Sequence, residues 1–167
     1  GKTVRVLDKV TVGKPDSLPS HVEFAADDKI ALVTRQNEHQ VIVLSVDGQT
    51  VKPAGREISV GIRPYALAVH PSGRLAISAN VGRGSGDNDT LSVIDTSRTP
   101  ARVVNTVDIG TEVPEGLAIS PDGRWLLAAN MRAHHIVTLR IEETGQLTPT
   151  GAVLGLPSPS CIKFWRG

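Results

Sequence analysis

The residues with chemistry to offer lie beside prolines that recur along the chain. Glu115 stands in Pro114-Glu-Gly-Leu, where a carboxylate at a strand opening can act as a base, hold a cation or remain a solvated charge. His21, in Pro19-Ser-His-Val, is the second candidate for acid–base work. Arg63 and Tyr65 flank Pro64 and are placed to hold an anionic or polar ligand. Arg132, His134 and His135 form a further polar group. Adjacent histidines on extended backbone point to opposite sides, so this pair suits ligand contact better than joint chelation of one ion. Asp87, Asn88 and Asp89 end a glycine-rich run, Val81-Gly-Arg-Gly-Ser-Gly-Asp-Asn-Asp-Thr90. They offer oxygens of the kind calcium uses, without the spacing or closing bidentate Glu of an EF-hand. No cofactor is demanded, and a divalent cation such as calcium is the one the residues admit. Cys161 has no base near it and reads as a small buried hydrophobe rather than a nucleophile.

Composition removes several classes of function. Hydrophobic residues make up 40% of the 167 and charged residues 21%, enough apolar material for a packed core. Eighteen Lys and Arg against seventeen Asp and Glu give a net charge of +1, so no basic footprint points to nucleic acid. The aromatic residues are Phe24, Tyr65, Trp125, Phe164 and Trp165, too few for a base-stacking platform. A single cysteine excludes an internal disulfide and any Cys-x-x-Cys metal site. No apolar run reaches the length of about 18 residues that a membrane helix needs, and no charged-then-apolar leader opens the sequence. Gly82, Gly84 and Gly86 lead into a strand, not a helix whose N-terminus could receive a phosphate. The nucleophile-elbow, P-loop and zincin motifs are all missing from the sequence.

The elements that must position these residues come from an internal repeat. Pro19, Pro64, Pro114 and Pro159 each open an apolar strand, 45 to 50 residues apart. Turns follow at Ala26-Asp-Asp-Lys29, Pro71-Ser-Gly-Arg74 and Pro121-Asp-Gly-Arg124; in the latter two, proline presets the second turn position and glycine accepts positive φ. Second strands are predicted over Ile30 to Thr34, Leu75 to Ala79 and Trp125 to Ala129, with Asn80 and Asn130 closing two of them in a structural duty toward loop backbone. Third strands fall at Val41–Val46, Leu91–Asp95 and Ile136–Ile141, and polar fourth strands at Glu57–Gly61, Val107–Gly110 and Ala152–Gly155. No stretch carries helical periodicity, so the chain is expected to be all-β.

Four-stranded antiparallel units at this period are what β-propeller blades look like. The pattern Val-Gly-x-x-Pro-x-x-Leu-Ala-(Val/Ile)-x-Pro-x-Gly-Arg, then Ala-Asn, then Leu-Ser-Val-Ile-Asp, resembles the YVTN-type repeat of the lactonase-like β-propeller family. Residues 61–130 carry it most closely, whereas the first repeat has Ala26 and Asp28 in place of the turn proline and glycine and Arg35 in place of the asparagine. The expected division is an outer strand of a preceding blade at 1–13, blades at 14–61, 62–110 and 111–155, and the first strand of a following blade at 156–167.

Three blades do not close a ring. The chain is therefore expected to belong to a longer protein, or to complete its ring with a second copy or companion chain, or to form an open stack. The resemblance implies either a scaffold presenting channel-mouth loops to a small-molecule or protein ligand, or a hydrolase opening a sugar or aliphatic lactone at the channel, with Glu115 activating water and Arg63 or Arg132 holding an anionic substrate. His21 is similar to the Pro-His-x-Val segments of that family, displaced by one residue, a shift expected to turn its side chain to the opposite face. The family also implies a periplasmic or extracellular setting. The sparse set of catalytic groups favours the scaffold.

Overall fold

In a computed structural model, the described residues are 3–25, 28–84, 89–110 and 113–165. They form twelve strands and no helix: β1 (Pro19–Ala25), β2 (Ile30–Arg35), β3 (Gln40–Asp47), β4 (Thr50–Ser59), β5 (Pro64–Val69), β6 (Leu75–Asn80), β7 (Thr90–Asp95), β8 (Arg102–Asp108), β9 (Pro114–Ile119), β10 (Trp125–Asn130), β11 (His135–Ile141) and β12 (Leu147–Gly155). Each consecutive four make one antiparallel sheet in sequence order, which gives three blades. Part of the degenerate first turn, residues 26 and 27, lies outside the described residues, as do Asp87 and Asn88.

Alternation along each strand commits neighbouring side chains to opposite blades. In the middle blade Leu67, Ala76 and Ile94 pack with Leu32, Val41, Val43 and Ile58 of the first. Ala66, Ala68, Ile77, Ala79, Leu91 and Val93 pack instead with Leu117, Leu126, Ala128, Leu139 and Leu147 of the third. Both faces of the middle sheet are thus covered, and each large side chain withdrawn from water contributes roughly 1.5–3 kcal/mol. Val10 and Val12 of the N-terminal segment pack against the outer face of the first blade, beside Ala31, Val33, Ile42 and Leu44, without entering a strand.

The fourth strands are longer than expected and begin earlier, at Thr50, Arg102 and Leu147. Pro53 with Gly55, and Pro149 with Gly151, disguise their first halves, but an outer edge strand tolerates both residue types. In all three blades the pairing of third with fourth strand shifts register, at Val43/Leu44, Val93/Ile94 and Val137/Leu139.

Polar contacts tie the layers. Fully buried Asn80 donates to the Thr90 carbonyl, the Thr90 hydroxyl and the Ser92 hydroxyl at 3.2, 3.1 and 3.0 Å, so its partners are the third strand rather than loop backbone. A Cβ on Gly61 would lie 2.5 Å from the Asn80 amide nitrogen, so glycine is needed where the chain enters the next blade. In the first blade Arg35 takes this place and donates to Glu57 at 2.8 Å and to Gln40. His70 accepts the Ser72 N–H on Nδ1 at 3.1 Å, which leaves its Nε2–H to donate to the Gly123 carbonyl of the third blade at 3.0 Å.

Turn carboxylates act locally. The Asp95 carboxyl is lowered from its ordinary value because it accepts the Ser97 hydroxyl at 2.6 Å, with Arg98 at 2.7 Å and the Ser97 N–H adding to the effect.

Two outcomes follow from these contacts. Asn80→Ala strands the buried Ser78 hydroxyl, leaves Ser92 with the Gly61 N–H alone and is expected to cost about 2–4 kcal/mol, read as a lower denaturant midpoint. Because the folded-state value of Asp95 is depressed, its contribution is present above about pH 4 and lost as pH falls. Unfolding free energies at about pH 3 and pH 6 should therefore differ less in Asp95→Asn than in the parent.

Candidate functional site

The inner strands β1, β5 and β9 share a peculiarity at their first residues. Register shifts between Pro19 and Val22, between Pro64 and Ala66, and beside Pro114 opposite Ala129/Asn130. One residue is bulged out of each ladder directly after the opening proline, and a bulge re-aims the side chain it carries. In β5 and β9 that residue is Tyr65 and Glu115; in β1 Ser20 and His21 together face Thr34. The residue before each proline is left-handed: Leu18, Arg63, Val113 and Ser158 have φ of 49°, 53°, 58° and 47°.

Glu115 is half-buried and takes no hydrogen bond or ion pair from the described residues. Tyr65 is half-buried against the core between the second and third blades. Ser20 joins the first blade to the second, its hydroxyl donating to the Tyr65 carbonyl at 2.9 Å and sharing a hydrogen with Thr34 at 2.9 Å.

His21 faces Glu23, with Nε2 3.1 Å from a carboxylate oxygen. Both are about one-third exposed, and residues two apart on a strand share a face. The displacement of His21 from its proline puts it in phase with Glu23. Glu23 also borders a cavity of about 410 Å³ where the inner strands converge, together with Val69, Ile119, Lys163 and Phe164. The wall of that cavity carries one anionic and one cationic side chain on apolar surroundings.

The other predicted residues are dispersed. Arg63 donates its guanidinium to Gln36 at 3.2 Å and its backbone N–H to His39 Nδ1 at 3.1 Å. Arg132 and His134 are exposed in the turn before β11, while His135 begins that strand and donates its Nδ1–H to the Ala133 carbonyl at 2.9 Å. His134 Nδ1 accepts the Ser158 N–H at 3.1 Å. A carboxylate oxygen of Asp89 accepts the Val113 N–H. Among the described residues no three His, Cys, Asp or Glu side chains form a metal-holding group, and the calcium expectation falls partly on Asp87 and Asn88, outside them. Cys161 is exposed, not buried, because the face it lies on carries no further blade in this structure.

Glu23, Gln36 and His39 join the site without having stood out in the sequence. For Glu23 a signal existed: His-x-Glu on a strand puts imidazole and carboxylate on one face.

Residues 12–164 match the family described as "Lactonase, 7-bladed beta-propeller". The chain is 25% identical over 161 residues to a 6-phosphogluconolactonase of Bacillus subtilis, a match covering 90% of this chain and 45% of that protein. A solved structure of a proposed 6-phosphogluconolactonase from Bacteroides fragilis superposes with a TM-score of 0.83 at 19% identity, covering 92% of this chain and 44% of the other. The periplasmic gluconolactonase of Pseudomonas aeruginosa gives a TM-score of 0.72 at 25% identity, with 88% and 42% coverage. The chain thus spans less than half the length of these relatives.

Proposed function

The chain belongs to the lactonase family of seven-bladed β-propellers, and from that premise we propose that it supplies three blades of a ring that opens a sugar lactone by water attack at the channel. Three blades of seven agree with the 42–45% of each relative that the chain covers. The remaining blades come from further sequence, a second copy or a companion chain.

The observation that carries the reading is the His21–Glu23 pair at 3.1 Å, with Glu23 on the wall of the inner-strand cavity. A regular repeat without a convergent catalytic group suits a scaffold, whereas an imidazole oriented by a carboxylate is the arrangement that general-base catalysis uses. With Nε2–H donated to Glu23, Nδ1 is the acceptor that takes a proton from water as the oxygen attacks the lactone carbonyl. Glu23 steadies the imidazolium so formed. The acyl C–O bond then breaks, the ring oxygen recovers the proton as a hydroxyl, and the product carboxylic acid releases one proton to solvent at neutral pH. Glu115 is a second base on another blade, and Arg63 is the cation for an anionic substituent such as the phosphate of a 6-phosphogluconolactone. The Pseudomonas relative supports an exported setting for such a ring.

The test is proton release from δ-gluconolactone and 6-phosphogluconolactone, followed at constant pH, on a particle whose mass by light scattering fits a closed ring. Enzyme-dependent opening is expected, with kcat reduced about 10²-fold in Glu23→Gln. A closed ring that binds these lactones without opening them returns the protein to the scaffold reading.

A further inference from the structure

Three side chains perform the same contact at the same spacing, although they differ in chemistry. The last residue before each third strand accepts the backbone N–H of the residue that precedes the next opening proline, 24 positions along the chain. His39 Nδ1 accepts from Arg63 at 3.1 Å, a carboxylate oxygen of Asp89 accepts from Val113, and His134 Nδ1 accepts from Ser158 at 3.1 Å. The first two contacts cross from one blade to the opening of the next inner strand, β5 or β9, and the third reaches the C-terminal segment.

The donors are the residues at left-handed φ, 53°, 58° and 47°. That conformation is unfavourable for any residue with a Cβ and most so for a β-branched one such as Val113, so it persists only where the surroundings hold it. The next residue is a proline with fixed φ and no N–H to offer. The one after that is the bulged residue in the two cases where a strand follows: Tyr65 for the His39 contact and Glu115 for Asp89. A hydrogen bond at the first of three consecutive residues therefore sets the direction in which the third leaves the strand. Histidine Nδ1 and a carboxylate are both short-armed sp² acceptors, and this is the property the position requires.

We propose that His39 and Asp89 are positioning residues, an inter-blade clasp that fixes the inner-strand bulge, with His134 making the same contact to the C-terminal segment, and that Asp89 in particular aims Glu115 into the channel. The kinetic consequence rests on the lactone-opening reading, while the clasp itself does not.

The experiment compares Asp89→Ala, Asp89→Asn and Asp89→His in the closed ring, the last installing the acceptor that the sibling blades use. Hydrogen exchange of the Val113 amide reads the clasp, the side-chain carboxyl resonance of Glu115 reads its surroundings, and lactone opening reads the consequence. Asp89→Ala is expected to speed Val113 exchange at least about tenfold, to move the Glu115 resonance, and to lower kcat about 10-fold to 100-fold with KM little changed. Asp89→His should restore all three toward the parent. Unchanged Val113 exchange in Asp89→Ala overturns the clasp. Faster exchange with an unmoved Glu115 resonance overturns the positioning role. If Asp89→Ala does not fold, Asp89→Asn and Asp89→His decide: failure of both to protect Val113 overturns the proposal. A ring inactive in every form refutes lactone opening alone, since the amide and carboxyl readouts still judge the clasp.

Discussion

Each sheet of this protein is apolar on both faces, and a layer of that kind is stable only between two others. In the middle blade the requirement is met residue by residue, Ala76 turning to the first blade and Ile77 to the third. At the two ends it is not met in the same way. Val22 and Phe24 of β1 are each 53% exposed, and Val153 and Leu154 of β12 are 62% and 61% exposed. Val10 and Val12 cover part of the first face, much as Ile58 of β4 and Val60 just after it lie on the second blade. The same junction is thus built from the N-terminal segment and from a regular fourth strand, because the demand comes from the uncovered sheet and not from the segment that satisfies it.

A stack of apolar layers also dictates where polar chemistry can sit. Between blades the inner strands carry Ala66, Ala68, Ala118 and Gly116, small enough for close approach near the axis. A Cβ on Gly116 would stand 2.7 Å from the Ser160 carbonyl oxygen, a measure of how tightly the C-terminal segment follows β9. Side chains with protons to exchange are left with the strand openings, where a bulge frees one residue from the ladder, and with β1, whose His21 and Glu23 stand where the sibling strands carry alanine or glycine. Tyr65 and Glu115 occupy the former and His21 with Glu23 the latter. The site is polar where it is because the remainder of the inner wall cannot be.

How far the sequence discloses this follows the same division. In the three blades the inner, second and third strands were legible because apolar alternation and turn residues mark their ends, and the structure places them within one or two residues of expectation, whereas the strand expected after Pro159 is not formed in residues 156–165. The first halves of the fourth strands were not, since Pro53, Gly55, Pro149 and Gly151 read locally as turn residues and only the edge location makes them acceptable. Glu115 and Tyr65 were legible from their place beside a recurring proline, yet the bulge that distinguishes them exists only once two strands are paired. Asp89 read as a cation ligand because its neighbours are Asp87 and Asn88; its partner Val113 lies in another blade.

That last mismatch reflects how a propeller stores its site. Residues at matched places in the repeat come one from each blade, so they are 45 to 50 positions apart in sequence. What they share is a place in the repeat: Tyr65 with Glu115, and His39 with Asp89 and His134. At the clasp position residue type varies while acceptor chemistry persists, because the neighbouring backbone asks only for a lone pair at a fixed point. At the bulge position residue type and chemistry both vary, Tyr65 against Glu115, because the channel makes no such uniform demand. Uniform chemistry down a repeat column therefore marks what holds the ring together, and divergent chemistry at an equally well-held position marks where one blade can differ from the next in function.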